Sequence, residues 1–170
     1  MATNTYTAIA TQTLASAASS VTFNSIPSGY TDLVLVISAR STNSGADDSM
    51  YFQLNGDTGS NYSWTRLLGN GSSASSYRLA SQTAGTFDGL AGGGSASGTY
   101  NAMVLNFQNY SNTSTYKTVI GRSGTAGAYT LAAVNLWRST SAISSIYVQP
   151  AVGSFAVGST FSLYGLLAAA

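Results

Sequence analysis

The chain contains no cysteine, no histidine and no glutamate, so its five acidic residues are all aspartate. Without cysteine there is no thiol nucleophile, no disulfide framework and no thiolate metal site. Without histidine there is no imidazole general base, no Ser-His-Asp triad and no histidine-ligated zinc. The usual groups of acid–base and nucleophilic catalysis are therefore missing, and we expect a protein that is not an enzyme and needs no cofactor.

Charged residues are also few. They form 6% of the sequence and the formal net charge is +1, whereas an ordinary soluble domain is roughly 25% charged. The six Lys and Arg residues are scattered, so no nucleic-acid partner is predicted. The sequence has no run of about 18 apolar residues, so no membrane partner is predicted either. A nearly neutral surface favours association. This indicates a permanent assembly, although a monomer kept in solution by serine, threonine and asparagine would have the same composition.

Small hydroxyl residues and short apolar runs are abundant instead. The chain has 28 serines and 20 threonines, and 44% of its residues are hydrophobic. Apolar and polar residues alternate between clusters of Gly, Ser and Asn, as in β-strands that end in tight turns. This spacing is typical of a β-sandwich or barrel, and we predict one all-β domain over residues 1–170, an antiparallel β-sandwich of about nine to eleven strands. Strands are expected at residues 5–13, 20–26, 33–39, 50–54, 62–68, 77–80, 99–108, 116–122, 129–137, 143–149 and 160–166, with 83–87 as a further candidate.

One segment, residues 89–98, has low complexity and contains the run Gly92-Gly93-Gly94. A phosphate-binding loop would need a Gly-Lys-Ser/Thr sequence and a following helix, and neither is present. Strand patterning resumes in the same style on both sides of the segment. It is therefore predicted to be a flexible loop within one domain.

The acidic residues offer two candidate sites. Asp47 and Asp48 are adjacent, and successive side chains of an extended chain point apart, so this pair suits a solvated loop better than a catalytic dyad. Asn55, Asp57 and Asn61 form an oxygen-rich turn and are a calcium candidate. The alternative is a hairpin turn in which the Asn and Asp side chains accept hydrogen bonds from nearby backbone amides.

Two aromatic–arginine pairs are candidate binding residues. Trp137 and Arg138 follow one another at a predicted strand end, where they would stack on a sugar or meet a partner by a cation–π contact. The alternative is a core tryptophan whose polar neighbour marks the exit to solvent. Trp64 and Arg66 share one face of a predicted strand, which favours a surface stripe of the residue types common in interface hot spots.

Four stretches together resemble small β-rich virion proteins of tailed bacteriophages, including phages of cyanobacteria. They are the opening Thr-Tyr-Thr-Ala-Ile-Ala-Thr-Gln-Thr-Leu, the segment from Phe52 to Trp64, the segment from Leu136 to Ile146, and the segment from Gly153 to Gly165. The resemblance covers essentially the whole chain. The resemblance implies a non-enzymatic particle component that has a jelly-roll-like fold and assembles as a trimer. It supplies no active-site residues.

On this basis we expect a capsid decoration protein that stabilises the shell from outside, as a homotrimer seated on the major capsid protein of the virion. Expected contacts are Tyr62, Trp64, Arg66, Trp137 and Arg138. Residues 1–13, which include Tyr6, are expected to form an extended arm or swapped strand that adds to a neighbour's sheet. The alternative is a tail-fibre or tailspike-type module that binds a host glycan through Tyr62, Trp64 and Trp137.

Overall fold

A computed structural model of the protein describes residues 5–167. Over this range it contains twelve β-strands, paired antiparallel in two sheets. The smaller sheet has the order β2-β11-β4-β7, with β2 Val21–Phe23, β4 Asp47–Leu54, β7 Gly85–Ala91 and β11 Ile146–Pro150. The larger has the order β1-β12-β3-β8-β9-β10-β5-β6, with β1 Tyr6–Thr13, β3 Asp32–Ser38, β5 Tyr62–Gly69, β6 Ala74–Gln82, β8 Ala102–Phe107, β9 Lys117–Thr125, β10 Tyr129–Trp137 and β12 Thr160–Leu166.

The predicted antiparallel β-sandwich is confirmed, and its twelve strands are one more than the upper end of the expected range of nine to eleven. The chain changes sheet at most of its connections and stays in the larger sheet only from β5 to β6 and from β8 through β9 to β10. The two sheets are therefore built from interleaved parts of the sequence. The additional strand is β7, which overlaps the further candidate at residues 83–87. No helix able to span a membrane is found in the described part of the chain.

The core lies between the sheets and is centred on Phe52 of β4. Its ring lies 5.9 Å from that of Phe87 on β7, 6.1 Å from Phe107 on β8 and 6.2 Å from Tyr62 on β5. Gly85, which is paired with Phe52 in the sheet, leaves room for this ring, because a Cβ at Gly85 would overlap it. Aromatic rings from β5 and β8 of the larger sheet and from β7 of the smaller sheet therefore meet at Phe52 of β4.

The glycine-rich segment is not the flexible loop that its composition predicts. Residues 89–91 belong to β7, and Gly92, Gly93 and Gly94 lie directly against the backbone of residues 43–45. A Cβ on Gly93 would come within 2.8 Å of the Asn43 carbonyl oxygen, so the run of glycines permits a close approach of two backbones.

Arg40 holds this segment in place. Its Nη1 donates to the carbonyl oxygens of Ala96 at 2.7 Å and Thr99 at 3.2 Å. Its Nη2 donates to those of Gly93 at 2.7 Å and Ser95 at 2.8 Å. A single guanidinium thus bonds four carbonyls of a loop that has few side chains to anchor it.

Replacing Arg40 by methionine should free this loop while leaving the sandwich folded. Hydrogen bonds to charged groups are worth about 1.5–3 kcal/mol each, so exchange of the loop amides should accelerate by about tenfold or more. Hydrogen–deuterium exchange of peptides covering residues 92–101 measures the effect. The control is Arg78→Met, which removes an exposed arginine that bonds to no described residue. Unchanged exchange in Arg40→Met would show that backbone packing alone orders the loop.

The N-terminal segment differs from the predicted arm. Tyr6–Thr13 forms β1, an edge strand paired antiparallel with β12 of the same chain, from Tyr6 opposite Leu166 to Thr13 opposite Thr160. Residues 1–4 of the predicted arm lie outside the described residues. The described part of this segment therefore pairs with its own chain, and the exchange of the strand with a neighbour stays a prediction.

The acid pair also differs from expectation, because Asp47 and Asp48 begin β4 instead of lying in a loop. Asp48 is 7% exposed, and its Oδ1 accepts a hydrogen bond of 2.8 Å from the Ser49 amide at a β-bulge. Asp47 is exposed. Successive side chains of a strand point to opposite faces, so the two neighbouring carboxylates have different surroundings.

Candidate assembly surface

One face of the eight-stranded sheet is not covered by the smaller sheet, and we call it the outer face. Residues alternate between the core and this face along each strand, as in Lys117–Thr125, where the odd-numbered residues are buried. Large apolar side chains are nevertheless exposed on the outer face: Val36, Leu67, Ile120 and Val134. Leu67 is 63% exposed. A sheet face of this kind is typical of an interaction surface when its apolar residues are contiguous.

Strand register shows that these residues are contiguous. Ile120 of β9 lies opposite Val134 of β10, and Val134 lies opposite Thr65 of β5. Ala132 of β10 lies opposite Leu67 of β5. A depression of about 240 Å³ runs between these two rows and is lined mainly by apolar groups.

A larger depression continues from it across β9, β10, β5 and β6. It has a volume of about 570 Å³ and is lined by Leu67, Ala132, Arg122, Thr130, Ser75 and Ser76 together with their neighbours. Arg122 also lines a third depression of about 290 Å³ on the side of β8. We call these adjoining depressions the groove. Its floor is aliphatic and hydroxyl-bearing, and Arg122 stands in the middle of it.

The β5–β6 hairpin forms one border of the groove and projects beyond the smaller sheet. Residues 74–81 are exposed on both faces of β6, and β6 has no partner strand on its other side. Tyr77 is 53% exposed and Leu79 is also exposed. Unpaired strand edges with apolar side chains are templates for pairing with another chain.

Arg66, predicted as an interface residue, instead fastens this hairpin to the smaller sheet. Its guanidinium forms an ion pair with Asp88 of β7, whose other carboxylate oxygen accepts a 2.5 Å bond from Ser49 Oγ. The Arg66 Cζ also lies 5.0 Å from the Trp64 ring centre and 5.5 Å from that of Tyr77. Trp64 is 7% exposed, so the Trp64–Arg66 stripe faces inward, with Tyr77 as its exposed border.

Tyr62 and Trp137 are core residues, which corrects their prediction as surface contacts. They lie opposite each other on β5 and β10, with stacked rings 6.4 Å apart. The Tyr62 hydroxyl accepts a bond from the Leu54 amide at 3.0 Å and donates to the Asp57 carbonyl at 3.2 Å. Burial is the main reason that the pKa of Tyr62 rises to about 12. Both rings support the turn between β4 and β5.

Arg138 is likewise used within the chain. Its guanidinium donates to the Ser63 hydroxyl and to the carbonyl oxygens of Ser60 and Tyr62, the last two at 3.2 Å. These contacts join the end of β10 to the start of β5. The alternative interpretation therefore fits both residues: Trp137 is a core tryptophan, and Arg138 is the polar neighbour at the end of the strand.

The oxygen-rich turn is held by its own hydrogen bonds. Asp57 accepts bonds from the Gly59 amide at 2.8 Å, from Asn61 Nδ2 at 2.9 Å and from Trp137 Nε1 at 2.7 Å. Partial burial acts to raise the pKa of Asp57, but these bonds outweigh it and the pKa is lowered. Asn55 Oδ1 accepts from the amides of residues 144 and 145.

In the calcium candidate, the side-chain oxygens of Asn55 and Asp57 thus accept hydrogen bonds, and Asn61 donates one through its Nδ2. The bond from the Gly59 amide to Asp57 is the local backbone contact that the alternative interpretation predicts. Within residues 5–167 there is no group of three or more acidic, His or Cys residues that could hold a metal ion.

Tyr6 is exposed at the sheet edge and meets Tyr164 edge-on, with ring centres 6.2 Å apart. Of the predicted contact residues, only Tyr6 presents a largely exposed side chain.

The most exposed groups of the groove were not singled out from sequence. Arg122 is one of several scattered cations, and Leu67, Ile120 and Val134 belong to ordinary strand patterns. One signal was available in the sequence: Leu67-Leu68 and Val119-Ile120 are pairs of consecutive apolar residues, whereas strict alternation would put a polar residue on the outer face.

No protein-family model matches the chain, and a search of curated proteins finds no similar sequence.

Proposed function

We propose that the protein is a non-catalytic structural component of a tailed-phage virion, a decoration protein that binds the outside of the capsid shell. The observation that carries the proposal is the outer face, with its exposed aliphatic residues, its groove and the unpaired β6 edge. A surface of this size, formed on a rigid sheet, is suited to fitting against a neighbour. The resemblance to phage virion proteins supplies the kind of particle.

The chemistry of the surface supports a permanent contact with another protein. The exposed groups are mainly aliphatic side chains and hydroxyls with a few arginines. Covering the aliphatic groups is favourable, and the hydroxyls and arginines need hydrogen-bonding or charged partners on the covering surface. A shell offers the same contact many times, so modest affinity at each site adds up when symmetric copies bind together. The partner in this proposal is the major capsid protein, and the location is the capsid surface.

A homotrimer is part of the same proposal. The free edges of β1 and β6 provide unpaired backbone donors and acceptors, and an adjacent copy could satisfy them by strand addition. Tyr77 and Leu79 on β6 would then be covered by the neighbouring copy. Association as a closed ring also protects exposed edges from open-ended polymerisation.

The second function considered, a host-glycan-binding module, has less support. It depends on Tyr62, Trp64 and Trp137 as an exposed aromatic platform. All three side chains are buried in the described chain, and the groove on the outer face has no aromatic lining residue.

Copy number in the particle tests the proposal. Quantitative mass spectrometry of purified virions of the phage that encodes the chain, with the major capsid protein as internal reference, should find hundreds of copies per particle. A few tens of copies would indicate a tail location and overturn the capsid assignment. Absence from purified virions would overturn the structural role altogether.

A further inference from the structure

Arg122 is an exposed arginine without a partner in the middle of the groove. It lies on β9 between Val104 of β8 and Ala132 of β10. Its guanidinium forms no hydrogen bond or ion pair with any described residue. By contrast, Arg40, Arg66 and Arg138 are bonded within the fold. Arg122 is therefore available to a partner.

Arg78 lies beside the groove on the same face of the sheet. It lies on β6 opposite Thr65, is exposed, and likewise has no bond to a described residue. β9 and β6 are separated by β10 and β5, so strand spacing and register place the two Cα atoms about 16 Å apart. Leu67 and Ala132 lie on the surface between them. The outer face thus presents two cations, Arg122 in the groove and Arg78 beside it, with aliphatic side chains between them.

The chain has almost no free carboxylate to offer this groove. Asp48 and Asp57 accept hydrogen bonds, Asp88 is paired with Arg66, and Asp32 accepts a 2.5 Å bond from the Asn109 amide. Asp47 alone is exposed among the five, and its strand, β4, belongs to the other sheet. A second copy of the chain is therefore a poor source of the two anions that the groove requires.

We propose that the groove binds an extended segment of the capsid protein that carries two carboxylates four residues apart, with aliphatic residues between them. This inference rests on the proposed function. In an extended strand, residues four apart lie on the same face about 13 Å apart, and the length of the arginine side chains spans the remaining difference. One carboxylate pairs with Arg122, the other with Arg78, and the intervening side chains contact Leu67 and Ala132.

Binding of the purified protein to shells that lack it tests the inference. The shells come from a phage deleted for this gene, and the protein variants are Arg122→Glu, Arg78→Glu and Ser28→Glu. Ser28 is exposed in the turn before β3 and is the control for an added negative charge. Thermal unfolding confirms that each variant is folded, as expected for exposed residues without partners.

Each groove variant should bind shells about tenfold more weakly or worse, because it replaces an attractive charge pair by a repulsive one, whereas Ser28→Glu should bind normally. Equal binding of all variants would overturn the groove inference and leave the decoration role standing. Failure of the unmodified protein to bind shells would overturn the decoration role itself, and with it this inference. Binding to bacterial host cells without binding to shells would likewise overturn both the decoration role and this inference.

Discussion

Replacing Phe52 by alanine is expected to lower the free energy of unfolding by about 3–5 kcal/mol, the range for removing a buried aromatic side chain. Phe52 is fully buried and its ring contacts those of Tyr62, Phe87 and Phe107. These rings come from both sheets, so the cavity would lie where neither sheet can move inward without disturbing its strand pairing. Gly85 has no side chain to fill the space.

Urea unfolding followed by tryptophan fluorescence measures this loss. Tyr116→Ala is the control, because it also removes an aromatic ring but from a side chain that is 54% exposed. If Phe52→Ala does not fold, Phe52→Leu provides a smaller loss that can still be measured. A loss below about 1 kcal/mol in the alanine variant, the level typical of an average substitution, would show that the core is centred elsewhere.

The second large effect is expected at Arg66. Replacing it by methionine leaves the Asp88 carboxylate buried without its cation, and breaking a buried pair in this way costs about 3–5 kcal/mol. Arg66 is partly exposed, with 27% of its side chain accessible against 8% for Asp88, so solvent will reduce the loss toward the lower end of that range. The β5–β6 hairpin should loosen as well, because the guanidinium also contacts the Trp64 and Tyr77 rings.

A double-mutant cycle separates the ion pair from the ring contacts. Arg66→Met, Asp88→Asn and the double variant are compared by urea unfolding, with Arg78→Met as the control for loss of an arginine from the same hairpin. The double variant should recover part of the stability lost in Arg66→Met, because it leaves no unpaired buried charge. Strict additivity of the two single losses would show that the two side chains do not interact.

The strands were largely predictable because their signal is local. Residues 129–137 and 160–166 alternate cleanly, and the structure has strands with those bounds. Errors arose where a residue type with low strand propensity begins or ends a strand. Asp47 and Asp48 indicate a loop by composition, but they are held by pairing with β7. Residues 89–91 also indicate a loop by composition, but they belong to β7, and Leu90 and Ala91 pair with the start of β4.

The candidate assembly surface was much harder to predict, because it depends on which sheet covers which face. Trp137 and Tyr62 have the composition of a binding site, but pairing of β5 with β10 turns both rings into the core. Arg122 has no distinguishing neighbours in sequence. It becomes notable only when register sets it beside Ala132 and Val104, on a face where no other described group neutralises it.

Backbone carbonyls are the main partners of the cations inside this fold. Arg40 bonds four of them, Arg138 bonds two, and the buried Lys117 bonds those of Thr115 at 2.8 Å and Thr140 at 3.1 Å. Dissolved ions screen attraction between separated exposed charges far more than short contacts between a cation and buried dipoles. The folded protein should therefore tolerate both fresh water and brine, whereas the proposed attachment through Arg122 and Arg78 should weaken as ionic strength rises.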